Sequence, residues 1–418
     1  MLKSEIFFKE IFSNKNFTVM TATLTAVHFV ENLYLPWWPL YLQELGASVE
    51  IIGLIFSIFG LMTFLSTFLG GILADRFGRK KIILLGTALR IIAPLFYLFA
   101  RTWQQLIPGL TINAFVMVYN PPVYAIILES LPDKRRTTGF GIMQTILILC
   151  SSATMVLGGI IMDSFGLIDG VRLILIAIII TLSIVFVIRY KFLSETLKTK
   201  KLSEKSSRSS NHIKIRGNVM GMLITSCLYL FSYRMIHSSL VIYATNIMNF
   251  TKTEWGIIQM AYHLVWAVTT MPCGIFAERY GKRLAIFLSQ VIIAIPLFSY
   301  IFLRDFNAVL GVNILAGLGA GFGGTVAGGG PAWQTLIAEL VPPEERGKTL
   351  GLMGTVTGII SMPSPFLGGY LWENFSPFAT IFASAVFQTA SIFTFLLLVT
   401  ESKKARPQAS SNQMIQKE

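Results

Sequence analysis

The side chains of this chain that could do chemistry are ionisable groups set inside long apolar runs. Glu31 and Arg234 lead them, followed by Arg90, His28, His237 and His263, with the amides Asn32, Asn113, Asn120 and Asn313 in the same or neighbouring runs. An ionised group surrounded by hydrocarbon costs a few kcal/mol or more, so each asks for a partner, a proton or a ligand. Glu31 and Arg234 stand 203 positions apart, the interval that also separates two copies of a loop described below. Opposite charges at matching positions of a repeat predict two groups that face one cavity. A carboxylate there can bind and release a proton, and a guanidinium can hold an anion or repel a cation. The bland reading is a permanent ion pair that braces the packing. Arg90 is a second available partner for Glu31. The histidines form no metal-like cluster and read as hydrogen-bonded packing residues. Asn113, Asn120 and Asn313 read as cavity residues, because amides deep in lipid are otherwise costly.

The elements that position these residues follow from composition. The chain is 54% hydrophobic and 13% charged over 418 residues, which no soluble domain tolerates. Twelve apolar runs, from 17–43 to 376–399, mostly reach the roughly 20 residues needed to cross the hydrocarbon as a helix. Turns are too sparse for a barrel of roughly 10-residue strands. The net charge is +13, and its placement excludes a nucleic-acid reading. Of 34 Lys and Arg, 28 fall in the termini and alternate loops, with no single basic surface. That alternation is the positive-inside pattern and predicts both termini on the cytoplasmic side of the cell membrane. Cys150, Cys227 and Cys273 lie inside apolar runs with no CxxC spacing and read as packing residues, so neither metal nor disulfide is expected. The N-terminus lacks the apolar core and cleavage site of a signal peptide. Trp37, Trp38 and Tyr41 read as an interfacial aromatic belt. Gly319-Ala-Gly321 follows no strand, so a dinucleotide reading fails. Pro121 and Pro331 predict matched bends.

A short loop occurs twice. Gly71-Ile-Leu-Ala-Asp75-Arg76-Phe-Gly78-Arg79-Lys80 returns 203 residues on as Gly274-Ile-Phe-Ala-Glu278-Arg279-Tyr-Gly281-Lys282-Arg283. A second pair, at offset 210, matches Glu129, Pro132 and Arg136 to Glu339, Pro342 and Arg346, and continues through Gly158-Gly159 and Asp163 to Gly368-Gly369 and Glu373. The chain therefore divides into a six-helix half (1–191), a basic Ser-rich linker (192–216), a second six-helix half (217–400) and a polar tail (401–418). The first loop closely resembles the loop 2–3 motif of the major facilitator superfamily, and its echo resembles the family's loop 8–9. The resemblance covers essentially the whole chain. It implies an all-α membrane fold of two pseudo-symmetric six-helix bundles working by alternating access, with helices 1, 4, 7 and 10 around a central cavity. The Arg of helix 4 and the Gly-Pro element of helix 5 usual in the drug-exporter subfamilies are absent.

A carboxylate at Asp75 or Glu278 can cap a neighbouring helix and pair with an arginine, with Arg136, Arg346, Glu129 and Glu339 as candidate partners. We expect these residues to form a latch at the cytoplasmic side. The expected activity is secondary transport of a small organic molecule, coupled to protons and directed outward for an amphipathic compound. Uptake of a sugar-like or organic-acid nutrient is the runner-up, and a receptor or scaffold on a transporter fold is the reading of another class. No nucleophile elbow, metal site or phosphate loop suggests an enzyme, and no cofactor is expected. The partners are the substrate, protons and the bilayer, with the chain acting as a monomer.

Overall fold

The computed structural model describes residues 12–132, 136–196, 217–323, 330–342 and 345–400, and they are helical between short connections. The first half contains α1 (Lys15–Asn32), α2 (Trp38–Glu44), α3 (Val49–Phe77), α4 (Arg79–Phe99), α5 (Ile107–Val116), α6 (Asn120–Glu129), α7 (Arg136–Ser152), α8 (Thr154–Phe165) and α9 (Leu167–Phe192). The second contains α10 (Gly217–His237), α11 (Leu240–Asn246), α12 (Lys252–Tyr280), α13 (Lys282–Phe302), α14 (Phe306–Gly321), α15 (Pro331–Leu340), α16 (Arg346–Ser361), α17 (Ser364–Asn374) and α18 (Pro377–Leu398). Several pairs are one apolar run bent at a local cause. Pro36 and Pro39 break α1 from α2, and Pro121–Pro122 follow a short 3₁₀ turn at the start of α6. Pro331 opens α15 in the matching place, since proline is tolerated at a first helical turn where its missing N–H has no partner to lose.

Among the described residues, ten runs are helical, long and apolar enough to cross a membrane. The other two of the twelve are 17–43, interrupted by its prolines, and 306–337, whose residues 324–329 lie outside the described residues. The predicted twelve-helix plan is consistent with this arrangement. Large apolar side chains such as Phe68, Met271 and Phe302 point outward, as a lipid-facing surface requires. Most of the predicted linker, 197–216, and the tail, 401–418, also lie outside the described residues. The linker's first residues are docked: Ser194 N donates to Asn16 Oδ1 at 2.8 Å, and Asn16 Nδ2 donates back to the Ser194 carbonyl.

The repeat seen in sequence is a repeat of detail. Gly78 and Gly281 each end one long helix and begin the next, at φ of 95° and 105°, a region open to glycine at no steric cost. Tyr41 Oη donates to the Tyr97 carbonyl at 2.8 Å, and Tyr243 Oη donates to the Tyr300 carbonyl at 2.9 Å. Trp37, Trp38 and Tyr41 are buried, which corrects the expected interfacial belt. Trp38 packs on Tyr97 with ring centroids 4.8 Å apart. The kink at Pro36 and Pro39 turns these rings inward, into a core shared by the ends of both halves.

Candidate functional site

Glu31 sits one residue before the end of α1, where the helix stops at the Pro36 kink. Its carboxylate is met not by Arg234 but by Arg90 of α4. Arg90 Nε donates to Glu31 Oε1 at 2.6 Å, and a second guanidinium N–H donates to the other carboxylate oxygen. A third donates to the Tyr119 hydroxyl, between α5 and α6. The bonding is bidentate and both side chains are nearly buried, 13% and 12% exposed. This is the geometry in which a buried ion pair recovers most of its desolvation cost. Of the two partners the sequence offered Glu31, Arg90 is the one that it meets in this arrangement, and a direct contact with Arg234 is not made. The reason is in the repeat itself. The position matching Arg90 at the same 203-residue interval is Ile293, so each half does not carry a copy of the pair.

Arg234, near the end of α10, consequently has no hydrogen bond or ion pair among the described residues. It reaches across to the first half, where its Nη1 lies 4.0 Å from where a Cβ on Gly60 of α3 would stand. Its surroundings are aromatic and imidazole groups. His237 packs on Tyr233 with ring centroids 5.0 Å apart and lies within electrostatic reach of Arg234 and His263. His263 packs on Tyr262 at 5.0 Å, and its Nδ1 bonds the Gln259 carbonyl at 2.8 Å. His28 is exposed on α1, and its carbonyl accepts the Asn32 amide at 2.8 Å. No group of His, Cys, Asp and Glu suited to a metal occurs among the described residues.

The amides divide. Asn113 and Asn120 are half-buried on α5 and α6. Asn313 is buried, accepts from Tyr300 Oη at 2.9 Å and donates to the Val309 carbonyl at 2.8 Å. It braces α13 against α14 and is not an open cavity group as expected. Arg189, one of the 28 Lys and Arg assigned from sequence to the cytoplasmic side, is 2% exposed. Its Nε donates to Thr23 and its Nη1 to Thr87, at 3.1 and 2.9 Å, tying α9 to α1 and α4. Only those two threonines in other runs reveal why it can be buried. A cleft of about 530 Å³ runs beside α1, lined by Thr18, Thr25, Phe29, Cys150 of α7 and Thr181 of α9.

The two ends of the molecule differ. At the end carrying the basic loops, the motif residues bond within their own halves. Arg79 pairs with Glu129 and Lys282 with Glu339. Lys80 N donates to Glu195 at 3.0 Å. Arg136 Nε donates to the Leu128 carbonyl at 3.0 Å and Arg346 Nε to the Val341 carbonyl at 3.2 Å, so both cap the ends of the preceding helices. Asp75 and Glu278 make no hydrogen bond or ion pair among the described residues, and Arg76 and Arg279 lie over the rings of Phe77 and Tyr280. The expected latch is thus not engaged here. A Cβ on Gly71 or Gly274 would meet nothing within 4 Å, so the close approach these glycines permit is not made either.

At the opposite end the halves are pressed together. A Cβ on Gly159 would lie 2.6 Å from the Lys252 carbonyl oxygen, and one on Gly256 2.6 Å from that of Met155. Cβ atoms on Gly53 and Gly369 would overlap the Pro365 and Val49 carbonyls. Gln43 and Asn246, another pair at the repeat interval, bond each other at 3.0 Å. Among the described residues the halves therefore form a wedge, pressed together at the far end and parted toward the basic end, with Glu31, Arg90 and Arg234 near its apex.

The sequence is similar over 407 residues to the proton-coupled antiporter flippase LtaA of Staphylococcus epidermidis, at 21% identity, covering 94% of this chain and 98% of that protein. It is 24% identical over 371 residues to a multi-drug resistance efflux pump PmrA homolog of Lactococcus lactis, covering 86% and 89%. Among solved structures, a bacterial homolog of the human lysosomal transporter Spinster, in an inward-facing and occupied conformation, superposes with a TM-score of 0.73 at 15% identity, covering 94% of this chain and 98% of that one. A point mutant of the nucleoside transporter NupG gives 0.73 at 14% identity, covering 91% and 100%. At these identities the structures establish the fold alone. The sequence profile described as the Major Facilitator Superfamily matches residues 20–328 and 222–416; in keeping with its duplicated loops and two-half wedge, the chain belongs to that superfamily of membrane transporters.

Proposed function

We propose that this transporter is proton-coupled, moves an amphipathic small molecule outward by alternating access, and uses the Glu31–Arg90 pair as its proton-responsive element. The observation that carries the reading is that pair: a bidentate, nearly buried carboxylate–guanidinium contact beside the wedge apex. A proton on Glu31 would release Arg90 and change the charge seen by whatever occupies the space between the halves. The aromatic rings and histidines around Arg234, with the threonine-edged cleft beside α1, suit a molecule with both apolar and polar parts. The names of the relatives, an antiporter flippase and an efflux pump, support the coupling and the direction. The basic end is assigned to the cytoplasm by its Lys and Arg excess, which makes this arrangement the inward-open one. The halves are taken as 1–191 and 217–400, joined by a cytoplasmic linker, in a monomer.

A second reading rests on Arg234. A guanidinium with no hydrogen bond or ion pair among the described residues would serve an anionic group, which favours uptake of an organic acid together with a proton. One experiment separates the two. Reconstituted protein is loaded with amphipathic dyes or with organic acids, and a proton gradient of either sign is imposed. Outward proton-driven exchange of the dye, lost in Glu31→Gln while downhill exchange persists, supports the first reading. Gradient-driven transport that is unchanged in Glu31→Gln removes Glu31 from the coupling.

A further inference from the structure

Asp163 and Glu373 occupy matching positions at the 210-residue interval, and neither belongs to the charged site near the apex. The structure gives them the same task in opposite directions. Asp163, at the end of α8, reaches into the second half and receives the first turn of α12. Its Oδ1 accepts from Lys252 N at 3.2 Å, and its Oδ2 accepts from Thr253 N at 2.8 Å and Thr253 Oγ1 at 2.7 Å. The Lys252 ammonium lies 3.5 Å from the same carboxylate. Glu373, at the end of α17, reaches into the first half, where its Oε1 accepts from Val49 N at 2.7 Å at the start of α3. Lys252 and Val49 are themselves related by the 203-residue interval. Each half therefore sends one carboxylate to the N-terminus of the other half's long helix, where unpaired N–H groups and the helix dipole favour negative charge.

The glycines explain how the carboxylates reach. Gly159 lies one turn before Asp163 and Gly369 one turn before Glu373, and each admits the backbone of the residue being clasped: the Lys252 carbonyl against Gly159 and the Val49 carbonyl against Gly369. A side chain at either position would push the helix start out of the carboxylate's range. A further bond deepens the second contact, Phe366 N donating to Ser57 Oγ at 3.1 Å.

We propose that Asp163 and Glu373 are the outer gate of the transport cycle: two symmetry-related carboxylate clasps that hold the far end shut and must both release for the cleft to open there. Charge alone does not account for them. A surface ion pair would be satisfied by Lys252 Nζ, whereas Asp163 spends three of its contacts on the backbone and hydroxyl of a helix start. The clasps also complement the basic end, where Asp75 and Glu278 are unbonded in this arrangement. The cycle would exchange one pair of helix-capping carboxylates for the other.

The test is Asp163→Asn, Glu373→Gln and their combination, read by the spacing of spin labels at Arg101 and Asn307, exposed residues of the two halves at the far end, in a background without Cys150, Cys227 and Cys273. Each neutral amide loses a charged acceptor of backbone N–H groups and should raise the outward-open to inward-open ratio about tenfold. The double variant should approach the product of the two, because the contacts share no residue. Asp163→Glu and Glu373→Asp, which keep the charge, should stay nearer the parent ratio than the amides. Label distances unchanged in both amide variants and in the double overturn the proposal. If Asp163→Asn fails to fold, Glu373→Gln carries the same test through its single bond. These distances are read without any proton gradient, so this outcome is independent of whether Glu31 couples transport to protons.

Discussion

Replacing Arg90 by Met is the most direct perturbation of the charged site. The change keeps most of the apolar stem and removes a guanidinium that gives two bonds to Glu31 and one to Tyr119. What remains is a carboxylate 12% exposed that keeps no hydrogen bond among the described residues. Truncating one member of such a pair costs about 3–5 kcal/mol. Changing Glu31 to Gln as well removes the stranded charge, so the double variant should recover about 2 kcal/mol relative to the sum of the singles. The contrasting cycle is Glu31→Gln with Arg234→Gln. Those side chains make no contact here, so their effects on stability should add within about 0.5 kcal/mol. Denaturant titration of the purified protein, followed by tryptophan fluorescence, gives both coupling energies under one condition. A coupling of Glu31 to Arg234 equal to or larger than that to Arg90 would refute the argument, because it would mean that the dominant pair crosses between the halves.

Further expectations bear on the two ends and the interior. Asp75→Asn should lower transport about tenfold or more while leaving thermal stability of the inward-open form unchanged, because Asp75 holds no bond in it; normal transport would reduce the loop to a topology signal. Gly369→Val places a branched side chain on the Val49 carbonyl, so cysteine-accessibility labelling should find the cleft open at the far end far more often than in the parent. A cysteine replacing Ser206 should resist impermeant thiol reagents in intact cells, and labelling from outside would reverse the assigned orientation. Arg189→Leu keeps the site apolar and removes the buried charge along with its bonds to Thr23 and Thr87; its melting temperature should stay within a few degrees of the parent, whereas Thr23→Val with Thr87→Val, which strands the guanidinium, should fall further.

The fold was legible because membrane-length apolar runs and a 203-residue repeat are one-dimensional signals. Gly78 and Gly281 could be matched from the loop alone, and both adopt the same positive-φ turn. Side-chain partners were less legible, because the rotation of each helix about its axis decides them. The choice between Arg90 and Arg234 for Glu31 turned on such rotations. One clue was available: Ile293 stands at the position matching Arg90, where only a carboxylate could have given Arg234 a partner in its own half. Trp37, Trp38 and Tyr41 looked like a belt because they sit near the end of a run, and only the kink after α1 shows that they turn inward. Arg189 looked like a surface residue for the same reason, its position near the end of α9, and became a core residue through hydroxyls on two other runs. Asp163 and Glu373 were visible as a repeated pair, but their partners are backbone N–H groups, which any sequence supplies at every helix start.

The unequal division of charge between the halves has a consequence for the direction of transport. The first half holds a carboxylate closed on its own guanidinium, and the second holds a guanidinium that faces Gly60 across the interface. Linkage is reciprocal: whatever a proton on Glu31 does to substrate affinity, substrate does to proton affinity. A proton would free Arg90 and leave two guanidiniums beside the apex, so an anion would bind better to the protonated form and the two would travel together. A cation, or a neutral molecule that uses Glu31 as its hydrogen-bond acceptor, would bind better to the deprotonated form and would exchange with the proton. The charge of the molecule carried therefore fixes the sign of coupling in this architecture, and outward movement driven by an inward proton gradient requires the second case. Measuring substrate affinity at two pH values on the inward-open protein reads that sign directly. Affinity that falls on acidification supports outward exchange, affinity that rises supports uptake with a proton, and affinity that does not move in the parent while Glu31→Gln also leaves it unchanged removes the pair from the coupling altogether.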